Sequence, residues 1–226
     1  MFAVWDPILG LSKSENARAV AAGYDALDRY EKLLRKKARE LIDRLEKEGD
    51  IGIVMLARAY HHDPGINRGI LDELQKRGYP VLSQDTLPLD EDLMDRLFGE
   101  EVHAGITSHP LDISDVWKST TSAGGSLKLW AAKFTARHPN LVAVELSNFK
   151  CGHDAPIYST VERIIESSGT PYFAFKDIDE NRPSGAIKIR VETIDYFLKQ
   201  YRKEMEEARP AAIQTRGLHD PRVSVV

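Results

Sequence analysis

The sequence contains very little cysteine: Cys151 is the only one among 226 residues. One thiol cannot form a disulfide within the chain, and it cannot supply a zinc site built from several cysteines. A chain of this length buries roughly 70% of its unfolded surface, so its core needs no covalent staples. The apolar N-terminus has no basic segment before it, which argues against a secretory signal. We therefore expect a cytoplasmic protein.

Long apolar runs and a strong net charge are also absent. No run approaches the roughly 18 apolar residues that a membrane span needs. The 31 basic and 35 acidic residues give a net charge of -4, which argues against a nucleic-acid or membrane partner. Phosphate-cradling motifs of the GxxxxGKS or GxGxxG type do not occur, and Gly124-Gly125 alone is not one. A self-contained nucleotide hydrolase is therefore disfavoured.

A long amphipathic helix is predicted near the N-terminus, after a short apolar lead-in at residues 1–12. Ser12 and Glu15 have the spacing of a capping box, and Gly49 is a plausible stop. Between them, apolar residues from Val20 to Leu45 follow an alternating four-three spacing, which favours one helical face. This face is expected to pack on its own domain or on a partner helix.

After residue 50 the pattern alternates between short apolar strands and amphipathic helices. Strands are predicted at residues 51–57, 80–83, 141–146 and 171–175, and the last helix at about residues 186–208. Such alternation indicates an α/β fold, a parallel sheet of the Rossmann or flavodoxin-like type flanked by helices on both faces. The predicted organisation is an N-terminal helical segment (1–49), an α/β domain (50–208) and a tail (209–226).

Ligands of such sheets bind at the carboxyl ends of the strands. The first loop there carries Arg58 and Tyr60, and Arg58 near a helix N-terminus could hold a carboxylate or a phosphate. Asp63 and Pro64 are expected to open the next helix. The second loop supplies Asp85, either for chemistry or for a turn that leads into the following helix.

The third loop contains Cys151, Gly152, His153 and Asp154. A thiol in a strand-to-helix loop could be a nucleophile or a metal ligand. The competing interpretation is an inert, buried cysteine, the commonest state of that residue. No third group that would orient a Cys-His pair is evident.

The fourth loop places three carboxylates, Asp177, Asp179 and Glu180, within four positions, and Arg190 lies on the following helix. These carboxylates could bind a cation or form an ion-pair network with Arg190, and the network is favoured.

Four segments occur in this order: GIVMLARAYHHDPGIN, VLSQDTLP, NFKCGHDAPI and DIDENRPSGAIKIRVET. Together they resemble the C-terminal segment of CoA-substrate-specific enzyme activases and 2-hydroxyacyl-CoA dehydratase-like proteins. The resemblance covers about residues 10–205. Its most specific parts are the first loop, the FxCGxD element that ends at Asp154, and the stretch from Asp179 to Glu192.

The resemblance implies a dehydratase-like α/β domain that helps to hold a [4Fe–4S] cluster. Cys151 matches the cysteine motif as a metal ligand, with Gly152 and Asp154 beside it in the cofactor-binding element. The residues expected to line the catalytic cleft are Arg58, Tyr60 and Asp85, and those expected to brace it are Asp179, Glu180 and Arg190. The first loop departs from the GRPY-like family pattern, since it has alanine at positions 57 and 59.

An iron–sulfur cluster needs several thiolates, and this chain has one. The resemblance therefore implies a component or fragment of a dehydratase/activase system, in which another chain or region completes the cluster. Partner subunits, a homo-oligomer and an acyl-CoA substrate are the expected partners. The alternative is a non-catalytic binding module that docks partners through the helical face from Val20 to Leu45. A third hypothesis is a Cys151 nucleophile.

Overall fold

The computed structural model describes residues 2–119, 122–148, 151–178 and 184–218. The strands are β1 (Gly52–Leu56), β2 (Val81–Ser83), β3 (Leu141–Leu146) and β4 (Tyr172–Phe175). The helices are α1 (Phe2–Leu9), α2 (Lys13–Glu48), α3 (Ile70–Lys76), α4 (Glu91–His103), α5 (Ala123–Arg137), α6 (Tyr158–Glu166) and α7 (Ser184–Leu218). Three short 3-10 turns are also present in the described residues. They lie after β1 (Ala59–His62), after β2 (Gln84–Thr86) and just before α6 (Ala155–Ile157).

The four strands form one parallel sheet in the order β2-β1-β3-β4. The chain moves from β1 to β2 on one side, and then returns to place β3 on the other side of β1. The order of the strands therefore reverses between β1 and β3, and this switch point is where ligands of open α/β sheets bind. The predicted α/β class, with a parallel sheet and a long N-terminal helix, is confirmed.

Both faces of the sheet are covered, which explains why every residue of β1 and β3 is buried and why all of them except Glu145 are uncharged. On one face the sheet packs against α2, α4, α5 and α6, through a core that includes Leu45, Leu97, Phe134 and Val161. On the other face it packs against α3 and α7, through a core that includes Leu74, Val191 and Leu198.

The ends of α2 follow the sequence signals. Ser12 Oγ accepts a hydrogen bond from the backbone N–H of Glu15, and the Glu15 side chain accepts one from the N–H of Ser12. Gly49 adopts the left-handed conformation with φ 72°, which a glycine takes without steric cost. Only the C-terminal part of α2 packs into the core, through Ala38, Ile42 and Leu45.

The structure differs from the sequence prediction at three helices. The lead-in is itself a helix, α1, which contains Pro7, the residue that made this segment read as a loop. Helix α3 begins at Ile70, because Asp63 closes a turn and the left-handed Arg68 and Gly69 interrupt the helical path. Helix α7 continues to Leu218, since apolar periodicity marks only the part of a helix that packs on a core.

Within the part of the chain that is described, no helix combines the length and the apolar character that a membrane crossing requires.

Candidate functional site

The carboxyl edge of the sheet brings the first and third loops together. Arg58 follows β1 and Asp154 follows β3, and their side chains form an ion pair with Nη2 and Oδ1 2.5 Å apart. These two residues are 96 positions apart in sequence. The pairing of adjacent strands β1 and β3 therefore places two predicted site residues in direct contact at the switch point.

A second cation, Lys128, also contacts the Asp154 carboxylate. Lys128, on α5, places its Nζ 3.0 Å from Glu145 Oε1 and 3.0 Å from Asp154 Oδ2. The side chains of all three are fully buried, with 0% exposure. The Tyr172 hydroxyl donates a further hydrogen bond to Glu145. We call Arg58, Lys128, Glu145 and Asp154 the charge network.

The charge network is balanced, with two cationic and two carboxylate side chains. Burial alone would raise the pKa of Asp154, but Lys128, Ser147 and Arg58 together outweigh it and hold this pKa below its usual range. Ser147 donates a hydrogen bond of 2.7 Å to Asp154 Oδ2. Asp154 therefore stays ionised while buried, because each of its oxygens has partners.

The first loop is fixed around Arg58 by neutral groups. The Arg58 backbone N–H donates to Nδ1 of His61, and burial, followed by the charge of Lys128, lowers the pKa of His61 to about 4. The ring is therefore neutral at pH 7 and able to accept. On the other side, a Cβ added to Gly124 would lie 2.5 Å from Arg58 Nη1. Glycine at the start of α5 thus makes room for the guanidinium.

Cys151 lies at the surface of this edge and is half-buried rather than in the core. Its carbonyl accepts hydrogen bonds from the backbone N–H groups of Asp154 and Ala155, at 3.1 and 3.0 Å. Tyr60 faces it: burial and then the nearby Cys151 raise the pKa of the Tyr60 hydroxyl. The structure thus brings Tyr60, Cys151 and Asp154 together, while Gly152 is exposed in the same turn.

Asp85 lies at the end of β2 and is largely exposed. The Ser83 hydroxyl donates to its carboxylate at 3.0 Å, and His62 Nε2 lies 3.6 Å from Oδ2. Ser83 also caps the short turn, accepting from the Asp85 backbone N–H. The hydroxyl of Ser83, rather than the carboxylate of Asp85, thus caps this turn.

Arg190 braces the fourth loop. Its guanidinium lies 3.0 Å from Asp177 Oδ1, donates to the carbonyl of Ala174 and stacks on the Phe175 ring with 4.1 Å to the centroid. This contact is one ion pair of the kind that the sequence favoured for Arg190, and the wider network with the other two carboxylates stays a prediction. Asp179 and Glu180 lie outside the described residues.

Sequence reasoning missed three members of the site: Lys128, Glu145 and Tyr172. Glu145 carried a usable signal, since it is the only charged residue in the apolar strand LVAVEL. A carboxylate in a strand that is buried on both faces needs a partner cation. Lys128 gave no such signal, because a lysine on an amphipathic helix is normally exposed.

A metal site within the chain does not emerge from these positions. Among the residues that the structure describes, no group of three or more histidine, cysteine, aspartate or glutamate side chains could hold a metal ion. Cys151 is the only thiol in the chain.

Residues 2–87 match the family described as the CoA enzyme activase uncharacterised domain (DUF2229). This match supports a CoA-substrate enzyme activase-related family. The matched part covers α1 to β2 and includes Arg58, Tyr60 and Asp85 of the candidate site, whereas Cys151 and Asp154 follow it in sequence. Neither a curated protein nor a solved structure matches the chain.

Proposed function

We propose that the chain is a component of a 2-hydroxyacyl-CoA dehydratase/activase-type iron–sulfur system. In this proposal it supplies Cys151 as one thiolate to a cluster that another chain or region completes. The observation that carries the proposal is the position of Cys151, half-buried at the switch point of the sheet and anchored through its carbonyl. The activase-related family match supports the same system.

The ligand set of this chain does not fit a complete cluster. A [4Fe–4S] cluster is held by about four thiolates, and the chain has one. The proposal therefore requires a partner that brings the remaining ligands, and it assigns no reaction step to this chain alone.

The charge network supports the idea that the carboxyl edge of the sheet holds the Cys151 thiol in place. Asp154 is tied to Arg58, Lys128 and Ser147, and its backbone N–H holds the Cys151 carbonyl. The loop that bears the thiol is thus linked to β1, β3 and α5 through buried contacts. A rigid loop presents the sulfur in one place, which a shared metal site requires. Acyl-CoA, the substrate class that the resemblance implies, is part of the proposal.

Anaerobic reconstitution with iron and sulfide, with the candidate partner subunits present, tests this function. We expect bound iron and visible absorbance that are lost in the Cys151→Ser variant. A matched control moves the thiol rather than removing it: Cys151→Ser combined with Ser167→Cys keeps one cysteine, at an exposed position after α6. This control should bind no more iron than Cys151→Ser.

Equal iron binding by the wild type and by Cys151→Ser in the presence of partners would contradict the proposal. Thiol alkylation of the free chain is a separate readout that needs no partner. The half-buried Cys151 should react in the folded protein.

A second candidate is a binding module of the same system that has no cluster of its own. The observation that favours it is the exposed apolar face of α2, because Tyr24 and Leu27 leave 70% and 50% of their surface in solvent. An apolar helix face of this kind is typical of a surface that docks another chain.

A further inference from the structure

Arg58 is the member of the charge network that reaches solvent. The side chains of the other three members have 0% exposure, whereas the side chain of Arg58 keeps 14%. Arg58 follows β1, and its backbone N–H is held by the hydrogen bond to Nδ1 of His61. The carboxyl edge of the sheet thus presents a guanidinium to the outside, on a backbone that is fixed in place.

Most hydrogen-bond donors of this guanidinium have no partner in the part of the chain that the structure describes. A guanidinium carries about five N–H donors. Nη2 donates to Oδ1 of Asp154, and Nε is buried without a hydrogen-bond partner. Nη1 takes part in no hydrogen bond between described residues, and it is not one of their buried unpaired atoms. Nη1 is therefore the nitrogen of Arg58 that a ligand can reach.

Gly124 leaves the space that Nη1 occupies. A Cβ added to Gly124 would lie 2.5 Å from Nη1, so any other residue at this position would push the guanidinium aside. Helix α5 begins at Ala123, and Nη1 therefore lies beside the first turn of this helix. The partial positive charge of a helix N-terminus adds to the attraction that the guanidinium exerts on an anion.

The pairing with Asp154 does not use up Arg58, because Asp154 has other partners. Oδ2 of Asp154 lies 3.0 Å from Nζ of Lys128 and accepts a hydrogen bond of 2.7 Å from Ser147. The contact with Arg58 involves Oδ1 and Nη2. The guanidinium can therefore hold Asp154 through Nη2 and a second carboxylate through Nη1 at the same time, while the charge network stays intact.

The charge of the network limits the kind of anion that fits. Its two cationic and two carboxylate side chains sum to zero, so every negative charge of a ligand is added to a neutral site. A phosphate monoester carries about 1.5 to 2 negative charges at neutral pH. The charge beyond the first would lie close to the Asp154 carboxylate, and like charges repel strongly where solvent is scarce. A single planar carboxylate adds one charge and suits the planar guanidinium.

We propose that Nη1 of Arg58 binds the carboxylate of a small monocarboxylic acid. The site lies at the switch point between β1 and β3, where open α/β sheets bind their ligands. The proposal chooses between the carboxylate and the phosphate that the sequence allowed for Arg58. It concerns the same edge as the proposed cluster, but no part of it requires Cys151 or iron.

An NMR titration of the whole isotope-labelled chain with sodium propionate tests the site. The Nε–H of Arg58 is buried and thus protected from exchange with water, so its signal should be observable. The absence of this signal in Arg58→Lys assigns it. We expect the signal to shift saturably with propionate and to stay in place with sodium chloride at the same ionic strength. Sodium phosphate should bind with a higher Kd than propionate.

Gly124→Ala tests the position of the ligand without removing a charge. Its added carbon lies against Nη1. We expect it to raise the propionate Kd about tenfold or more, which corresponds to one lost charge-assisted hydrogen bond. Gly185→Ala is the matched control, because Gly185 lies in the first turn of α7 and its added carbon has no atom within 4 Å. It should bind propionate as the wild type does, and circular dichroism shows whether each variant is folded.

Three results would overturn the proposal: no saturable shift in the wild type, an unchanged Kd in folded Gly124→Ala, or tighter binding of phosphate than of propionate. Cys151→Ser should bind propionate normally. Failure of the carboxylate site and failure of the cluster proposal therefore give different results.

Discussion

At the carboxyl edge of the sheet, charged side chains are buried, whereas along the N-terminal half of α2 apolar side chains are exposed. Lys128 and Glu145 have no solvent contact, and Tyr24 keeps most of its surface in water. Both regions depart from the usual distribution of residues. They differ in how the departure is compensated. The buried charges pair with one another inside the chain, but the exposed apolar groups have no equivalent cover among the residues that the structure describes.

The two regions are therefore expected to contribute differently to the stability of the folded chain and to the binding of other molecules. The charges of the network pair with one another, and among its described atoms only Arg58 Nε is buried without a hydrogen-bond partner. We therefore expect the network to act first on the stability of the folded chain and on the position of the Cys151 loop. An uncovered apolar surface contributes little to the folding of one chain and is available for binding another. We therefore expect the buried charges at the edge to contribute to the stability of the folded chain, and the exposed apolar side chains of α2 to contribute little to it.

The largest expected effect comes from removing Lys128. Lys128→Met leaves two carboxylates, Glu145 and Asp154, buried around a missing cation. Loss of one partner from a buried ion pair costs about 3–5 kcal/mol, so we expect a decrease of that size in the free energy of unfolding. Urea unfolding at neutral pH measures it. A loss below about 1 kcal/mol would show that water enters the charge network.

The second prediction concerns pH and His61. Its folded pKa of about 4 lies below the usual 6.5, so the unfolded chain takes up the proton first as the pH falls. The stability that His61 contributes is thus complete above about pH 6.5, is lost as the pH falls from there to about 4, and is constant below. Between pH 7 and pH 5 the loss should be about 2 kcal/mol.

Urea unfolding of the wild type and of His61→Gln, each at about pH 7 and about pH 5, measures this term. The variant should lose less stability across the interval than the wild type, by the contribution of this one imidazole. His138 is also buried, with burial lowering its pKa to about 4, and it provides the same slope in both proteins. Identical pH dependence in the two proteins would contradict a neutral, buried His61.

The smallest expected effect on the free energy of unfolding concerns an exposed aromatic side chain of α2, Tyr30. Tyr30→Ser should change the free energy of unfolding by less than about 0.5 kcal/mol. Serine and tyrosine have similar helix propensities, and Tyr30 is 58% exposed. Urea unfolding again measures the change. A loss above about 1 kcal/mol would mean that Tyr30 packs within its own chain.

Sequence patterns predicted the sheet well because each strand is a short apolar run that ends in a polar loop. The rule that ligand-binding loops follow the strands placed Arg58 and the Cys151 loop at one edge, where the structure shows Arg58 and Asp154 in contact. The partner of these two residues was not predictable in the same way. Lys128 lies on α5, and which face of a helix meets a particular loop depends on packing rather than on local sequence.

The helix boundaries show a similar limit. The cap at Ser12 and the stop at Gly49 were predictable because the signals are local hydrogen bonds and backbone geometry. Helix α1 was missed because Pro7 weakens the helical pattern. The part of the apolar face of α2 that meets the core could not be predicted, since the spacing is the same in its buried and exposed halves.

The contact between Arg58 and Asp154 also has a consequence for the order of folding. It joins residues 96 positions apart, and it requires β3 to be paired beside β1. Closing so long a loop is slow, so such a contact forms after the local helices and the strand pairs that bring its ends together. Interactions that are absent from the folding transition state act mainly on the unfolding rate. We therefore expect the pair of Arg58 and Asp154 to slow the unfolding of the finished sheet and to leave its folding rate almost unchanged.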